Sequence, residues 1–157
     1  VVLDGTAGLG KDAFILSFLG CTVYMIERNP VIAALLQDGL ERAYENEKIG
    51  SWIKKRLHLI YDNSVQMLNL SIIKPDVIYL DPMYPDKKKS LPKKDMQIFQ
   101  KFIGRDSDLN KLLKKSRQLA KKRVIVKRPY HALPLSNATV NFVIYTKQHR
   151  FDIYHPF

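Results

Sequence analysis

The sequence predicts an α/β fold in which a mostly parallel sheet of seven strands carries helices on both faces. Short apolar runs alternate with helical patterns along most of the chain. Such alternation is typical of parallel strands joined by covering helices. The last two apolar runs follow each other without a helix between them. This arrangement predicts an antiparallel C-terminal addition at one edge of the sheet.

The first half of the chain begins in the order β-α-β-α. Residues 1–3 form a short strand, residues 12–19 a helix, residues 22–26 a second strand and residues 31–44 a longer helix. A third strand is predicted at residues 57–61 and a short helix at 64–70. Residues 76–80 are rich in branched side chains and predict the fourth strand.

The second half begins with two helical patterns, at residues 94–103 and 109–119, before a strand at 123–127. The two closing strands are predicted at residues 141–146 and 151–154. The irregular stretches 81–92 and 129–136 come just after predicted strands. Because ligands of open α/β sheets bind outside the carboxyl ends of the strands, we expect functional residues in these loops.

Length and composition favour one globular domain that spans residues 1–157. The chain has 157 residues, of which 46% are hydrophobic, so it can bury a real core. It starts at Val1, directly in an apolar run with the sharpest motif behind it, and we interpret it as an N-terminally truncated fragment. Cys21 is the only cysteine, which favours a reducing cytoplasm and predicts no metal. No apolar run is long enough to span a membrane.

The positive charge is concentrated in the second half of the chain. The formal net charge is +11; residues 1–80 hold 8 Lys and Arg against 9 Asp and Glu, whereas residues 81–157 hold 18 against 6. Cationic side chains release counterions when they neutralise phosphates, so this asymmetry points to a polyanionic partner such as a nucleic acid. A basic but solvated surface is the alternative.

A glycine-rich turn follows the first strand. Asp4, Gly5, Gly8 and Gly10 lie between this strand and the first helix, where the backbone must approach a ligand closely. Glu27 ends the second strand, in position to accept hydrogen bonds from ribose hydroxyls. The turn also fits a loose dinucleotide pattern, so by itself it does not separate S-adenosylmethionine (SAM) from NAD.

A second motif, Asp81-Pro82-Met83-Tyr84-Pro85, follows the fourth strand. It resembles the Asp-Pro-Pro-Tyr/Phe motif of methyltransferases that act on the exocyclic amines of bases. An aryl amine is a poor nucleophile; the Asp81 carboxylate and the Pro82 carbonyl can accept its two N–H bonds and orient its lone pair. Tyr84 would stack on the base. We therefore assign Asp81, Pro82 and Tyr84 to catalysis and favour SAM over NAD.

With both motifs present, the chain resembles the class I SAM-dependent methyltransferases, and more closely the family of 16S ribosomal RNA guanine-N(2) methyltransferases known as RsmJ. Four segments carry the resemblance: residues 4–12, 25–30, 77–85 and 149–154. The resemblance implies a Rossmann-like fold, SAM as cofactor, and methyl transfer to the 2-amino group of a guanine. The implied partner is ribosomal RNA or the small ribosomal subunit, in the cytoplasm.

The resemblance also implies which residues contact the cofactor. Besides the glycine turn, they are Lys11, Asp12, Glu27, Arg28, Asn63, Ser64 and Asp81. Lys11 stands where the family usually has arginine, and Asn63 where it usually has serine. Tyr84 stands where phenylalanine is common. Lys11 and Asn63 each keep a hydrogen-bond donor, and Tyr84 keeps a stacking face.

Two groups of basic residues are candidates for RNA binding. Lys87, Lys88 and Lys89 adjoin the second motif and could hold phosphates that flank a flipped nucleotide. Lys127 and Arg128 close the fifth strand and could line the RNA entrance. A solvated charged loop is the alternative for the lysine run.

Three other functions remain open at this point. One is SAM-dependent methylation of an adenine amine in DNA or RNA, which uses the same Asp-Pro loop. Another is an NAD-dependent oxidoreductase, for which no convincing Tyr-Lys pair is found. The third is a non-catalytic RNA-binding module, which would need neither Asp81 nor Glu27.

Overall fold

A computed structural model describes residues 1–63, 73–82 and 109–157. Seven strands form one sheet: β1 (Val2–Asp4), β2 (Val23–Glu27), β3 (Leu57–Tyr61), β4 (Val77–Leu80), β5 (Arg123–Pro129), β6 (Phe142–Tyr145) and β7 (His149–Tyr154). The described ranges also contain four helices: α1 (Lys11–Phe18), α2 (Pro30–Tyr44), α3 (Gly50–Arg56) and α4 (Leu109–Leu119).

The strand order is β3-β2-β1-β4-β5-β7-β6. Strands β1 to β5 pair in parallel, and β7 runs antiparallel to both β5 and β6. The predicted fold class, with its antiparallel C-terminal strand, is confirmed. The last strand lies inside the sheet, however, and β6 forms the edge.

Apolar side chains pack on both faces of the sheet. On one face, Leu112 and Leu113 of α4 cover a cluster that includes Ile78 and Val124, all buried. On the other face, helices α1, α2 and α3 supply buried residues to a second cluster around Val23 and Met25 of β2. The prediction of helices on both faces is therefore confirmed. No helix in the described ranges is long and apolar enough to cross a membrane.

Helix α2 shows how local sequence sets these elements. Asn29 caps its start, because its side-chain oxygen accepts hydrogen bonds from the backbone N–H groups of Val31 and Ile32, at 2.9 and 3.2 Å. Pro30 occupies the first turn, where its missing N–H costs nothing. Leu36 and Leu40, four residues apart, are buried against the sheet.

A buried ion pair stabilises the interior strand β7. Asp152 is fully buried, and the Arg150 guanidinium donates to both of its carboxylate oxygens, at 2.8 and 3.2 Å. Two-point pairing satisfies a charge that would otherwise be costly to bury. Arg150 also donates to the Tyr130 carbonyl at 3.3 Å. The pair therefore ties the loop after β5 to β7.

Most predicted bounds agree with the structure to within two residues. Helix α3 is the exception, since no helix was predicted between residues 44 and 57. Its seven residues contribute only Ile53 and Gly50 to the buried interior, which is too short a pattern to show helical periodicity. The helices predicted at 64–70 and 94–103 lie outside the described residues.

Two glycines give a matched test of packing at the α2–α3 junction. A Cβ at Gly50 would lie 2.2 Å from the Tyr44 carbonyl oxygen, whereas one at Gly39, inside α2, would approach only Arg42, at 4.0 Å. We expect Gly50→Ala to lower the free energy of unfolding by at least about 2 kcal/mol. Gly39→Ala should raise it by about 0.5–1 kcal/mol. Urea unfolding of both variants measures the difference; equal effects would contradict the packing described.

Candidate active site

The glycine turn lies over the carboxyl ends of three neighbouring strands. The Gly5 N–H donates to the Tyr79 carbonyl of β4 at 3.0 Å, and the Ala7 N–H donates to the Ile26 carbonyl of β2 at 3.1 Å. These bonds fix the turn on both sides of β1. They therefore hold the backbone of the turn in place against the sheet.

Two glycines of the turn have positive φ, +53° at Gly8 and +70° at Gly10, which favours glycine over other residues. A Cβ at Gly10 would lie 3.0 Å from Leu36 and 3.2 Å from Met25, so its absence lets α2 pack closely. A Cβ at Gly8 would meet no atom within 4 Å. The Gly8 backbone thus borders open space, where a ligand can approach it.

Glu27 joins this turn to the start of α2. One carboxylate oxygen accepts the Gly8 N–H at 2.9 Å, and the other accepts the Asn29 N–H at 2.8 Å. Glu27 is buried, at 7% exposure, yet it lies at the end of β2 beside the open turn. A carboxylate oxygen has two lone pairs, so each oxygen can accept a further hydrogen bond from a ligand hydroxyl.

Asp4, at the end of β1, is almost fully buried beneath the turn. Burial raises the pKa of its carboxyl to about 7. The Thr6 N–H, which donates to Asp4 at 3.0 Å, opposes this rise, and the carboxylates of Asp12, Asp81 and Glu27 add to it. Asp4 therefore changes its charge near neutral pH and responds to any charge placed above the turn.

Asp81 is the first residue after β4, and its backbone and side chain are held separately. Its N–H donates to the Thr6 hydroxyl oxygen at 2.6 Å, and its Oδ2 lies 3.0 Å from the Lys127 Nζ. Within residues 1–63, 73–82 and 109–157, no donor is hydrogen-bonded to Asp81 Oδ1. Burial raises the pKa of Asp81, and Lys127 opposes the rise. Pro82 follows and is buried.

Asp12, in the first turn of α1, shares the same ammonium group. Its Oδ2 lies 3.0 Å from Lys127 Nζ and accepts a 2.6 Å hydrogen bond from the Tyr79 hydroxyl. Burial opposes ionisation of Asp12, but the bonds from Tyr79 and Lys127 outweigh it and hold its pKa below the usual range. Burial and the bond to Asp12 raise the pKa of Tyr79, so this phenol stays protonated.

The other predicted cofactor residues are neighbours in the chain of the elements just described. Lys11 is exposed at the start of α1, while Arg28 and Asn63 are half-buried just beyond the ends of β2 and β3. Strands β2 and β3 continue to pair here, because the Asp62 N–H donates to the Glu27 carbonyl at 3.1 Å. The positions predicted for Ser64, Tyr84, Lys87, Lys88 and Lys89 lie outside the described residues.

The two described residues predicted to bind RNA are already engaged with the protein. Lys127 pairs with Asp12 and Asp81, as above, and its side chain is only 21% exposed. Arg128 is buried, and its guanidinium donates to the Leu133 carbonyl. An RNA contact by either residue stays a prediction, and it would require the cation to exchange its present partners.

Sequence reasoning missed Thr6, Tyr79 and the internal role of Lys127. Alternation along the strands could have placed Tyr79 on the same sheet face as Asp81, two residues later. The place of Lys127 can be predicted only from the strand register. Leu80 pairs with Val126, and this pairing brings Lys127, the next residue of β5, beside Asp81. A lysine at a strand end gives no such signal by itself.

The charges at this edge suit a cationic ligand. Four carboxylates, of Asp4, Asp12, Glu27 and Asp81, lie at this edge, and the Lys127 ammonium group pairs with two of them, Asp12 and Asp81. SAM carries a sulfonium and an ammonium charge, which such a group attracts, whereas the diphosphate of NAD would be repelled. Among the described residues, no three metal-ligating side chains are grouped as a metal site. The residues present therefore fit SAM better than a dinucleotide.

Comparison with known proteins gives concordant results. A family profile described as "Putative SAM-dependent methyltransferase" matches residues 1–156. A SAM-dependent methyltransferase from Neisseria gonorrhoeae has a similar structure, with a TM-score of 0.81 and 37% sequence identity. That match covers 100% of this chain and 65% of the Neisseria chain.

Several curated relatives carry the same name. "Ribosomal RNA small subunit methyltransferase J" of Buchnera aphidicola is 63% identical over 157 residues, which cover 99% of this chain and 64% of the relative. The protein of the same name from Photorhabdus laumondii is 53% identical over 154 residues, covering 98% and 62%. The chain thus spans just under two thirds of the length of the curated relatives it matches.

The titration of Asp4 gives a test of the site's electrostatics. Because its pKa is higher in the folded than in the unfolded chain, Asp4 stabilises the fold at low pH, and this contribution is lost as pH rises from about 4 to 7. Asp4→Asn removes the titration. We expect the stability of Asp4→Asn, relative to the parent, to increase by about 1.4 kcal/mol per pH unit over that window, then to level off. Urea unfolding from pH 4 to 8 measures this; a pH-independent difference would contradict the burial of an ionisable Asp4.

Proposed function

The chain belongs to the SAM-dependent methyltransferase family, and on this premise we propose that it transfers a methyl group from SAM to the exocyclic 2-amino group of a guanine in small-subunit ribosomal RNA. The observation that carries the proposal is the Asp81 carboxylate. It is fixed beside the acidic turn and keeps one oxygen without a hydrogen-bonded donor among the described residues. In this proposal, that oxygen accepts a hydrogen bond from the guanine amine.

The cofactor side of the proposal rests on the turn and its carboxylates. Glu27 would accept hydrogen bonds from the ribose hydroxyls, the Gly8 backbone would border the ligand, and ionised Asp4 would stabilise its positive charge from below the turn. Lys11, Asp12, Arg28 and Asn63 complete the proposed set at the same edge. When bound, SAM supplies an electrophilic methyl group on a sulfonium.

The substrate side rests on hydrogen bonding rather than on a strong base. The Asp81 carboxylate and the Pro82 carbonyl would accept hydrogen bonds from the two N–H groups of the amine. These hydrogen bonds would turn the nitrogen lone pair toward the methyl group. As the nitrogen becomes positive during transfer, the ionised carboxylate stabilises that charge and can take the proton. Stacking by Tyr84 is a further part of this proposal and rests on the sequence alone.

The choice of RNA rests on the relatives and on the charge distribution. The curated relatives that match nearly all of this chain are named as small-subunit ribosomal RNA methyltransferases. The excess of basic residues in residues 81–157 suits a polyanion. The guanine 2-amino group follows from the family resemblance of the motifs.

SAM binding should release protons. A cation above the turn favours the ionised form of Asp4, so binding near pH 6 displaces a proton from a group whose pKa is about 7. We expect SAM affinity to rise as pH increases from 6 to 8. Calorimetry in two buffers of different ionisation enthalpy measures the proton count. Asp4→Asn should bind SAM without this proton release, and release equal to that of the parent would contradict the role of Asp4.

Asp81 gives the direct test of methyl transfer. In the full-length protein, we expect Asp81→Asn to lower kcat for tritium-methyl transfer to unmodified small-subunit RNA by about 10²–10³-fold, because the carboxylate charge is lost. Asp38→Asn, on the exposed face of α2, is the matched control and should keep parent activity. Digestion of the RNA to nucleosides identifies the labelled base.

The outcomes separate the competing functions. Label in guanine that depends on Asp81 supports the proposal. Label in adenine, or in duplex DNA in preference to RNA, would indicate the same chemistry on another target. Absence of SAM binding by the folded full-length protein would refute the proposal.

A further inference from the structure

We propose that Lys127 is a positioning residue for methyl transfer: its ammonium group bridges Asp12 and Asp81 and keeps the Asp81 carboxylate ionised and turned toward the substrate amine. The inference rests on the proposed function, which it deepens. It differs from the sequence-based expectation that Lys127 contacts RNA.

The geometry of Lys127 carries the argument. Its Nζ lies 3.0 Å from Asp81 Oδ2 and 3.0 Å from Asp12 Oδ2. These two carboxylates belong to distant parts of the chain. Asp12 belongs to the helix that follows the cofactor turn, and Asp81 belongs to the loop that would bind the amine. The ammonium group therefore joins the cofactor side of the site to the substrate side.

The contact leaves Asp81 in a defined orientation. The Thr6 hydroxyl holds the Asp81 N–H, and Lys127 holds Oδ2, so rotation of the carboxylate is restricted. Oδ1 is the oxygen that has no hydrogen-bonded donor in the described ranges, and it is the one we assign to the amine. Without Lys127, either oxygen could turn toward the substrate, and the preferred orientation would be lost.

The contact also governs the charge of Asp81. Burial and neighbouring carboxylates disfavour the ionised form, and Lys127 is the largest opposing influence. The charged or titratable groups that face Asp81 come from α1, β1, β4, β5 and β7: Asp12, Asp4, Tyr79, Lys127 and His149. Asp12 and Asp4 disfavour the ionised form of Asp81. Without Lys127, His149 is the one member of this set that still opposes them. Removal of the ammonium should thus raise the pKa of Asp81.

A phosphate-contacting lysine would show different partners. Phosphate contacts require a cation that points to solvent, but the Lys127 side chain is mostly buried and its ion pairs with Asp12 and Asp81 are internal. Lys114 on α4, by contrast, is exposed and lies outside this group. The two lysines therefore make a matched pair for experiment.

The test compares Lys127→Met, Lys127→Arg and the control Lys114→Met in the full-length protein. The pH dependence of kcat and the KM for small-subunit RNA are measured for each, at saturating SAM. For Lys127→Met, we expect the acid limb of the kcat profile to move up by about one pH unit or more. At pH values below the acid limb of the parent, its kcat would then be at least about tenfold below the parent value, and the gap should narrow at higher pH to the part caused by the lost carboxylate orientation.

The controls distinguish positioning from general damage. Lys127→Arg keeps the charge and should leave the acid limb near its parent position, and Lys114→Met should leave the whole profile unchanged. A loss of kcat that is equal at every pH, or one that appears only as a raised, salt-dependent KM for RNA, would overturn the inference. The second pattern would assign Lys127 to a phosphate contact instead.

A second measurement tests Lys127 without relying on methyl transfer. Carbon-detected NMR of the Asp81 side-chain carboxyl follows its titration in the parent, in Lys127→Arg and in Lys127→Met. A higher pKa in Lys127→Met alone supports the inference, and an unchanged pKa overturns it. If the parent transfers no methyl group, the proposed function fails, while this titration still decides whether Lys127 controls Asp81. Should Lys127→Met not fold, Lys127→Gln takes its place in both measurements.

Discussion

The concentration of negative charge at one edge of the sheet is the constraint on which the site depends. Parallel strands β1, β2 and β4 end at the same edge, and each brings a carboxylate there: Asp4, Glu27 and Asp81. Asp12 adds a fourth from the first turn of α1. Like charges at close range disfavour one another, so the fold must protonate, pair or hydrogen-bond each of them. The structure uses all three means.

Protonation, hydrogen bonding and ion pairing leave the carboxylates with different chemical properties. Asp4 is buried with one backbone donor, so its charge follows its surroundings near neutral pH. Glu27 accepts two backbone N–H bonds and keeps lone pairs for a ligand. Asp81 shares an ammonium group with Asp12, and its Oδ1 has no hydrogen-bonded donor among the described residues. A cationic ligand at this edge would relieve the remaining repulsion, so the carboxylates would favour a cationic ligand over an anionic one.

Much of the fold and part of the site could be predicted from the sequence. Alternating strands and helices, and the two closing strands, are encoded locally and gave the fold class. The glycine turn, Glu27 and Asp81 are recognisable because each follows a predicted strand at the edge where ligands bind. The positions of Asp4, Glu27 and Asp81 at one edge then follow from the parallel sheet.

The contacts between distant elements could not be predicted. The partner of Lys127 depends on the register between β4 and β5, and that of Tyr79 depends on how α1 lies across the sheet. A one-residue change in register would turn Lys127 to the opposite face, where Arg128 now lies buried. Tertiary packing also produced α3, whose short sequence has no periodicity of its own.

The position of β7 has a consequence for synthesis of the protein. It follows β6 in the chain but lies between β5 and β6 in the sheet. Until residues 149–154 leave the ribosome, β5 is an open edge, with Lys127 near its end and unpaired backbone groups available to other chains. The nascent chain therefore passes through an interval in which aggregation competes with closure of the sheet.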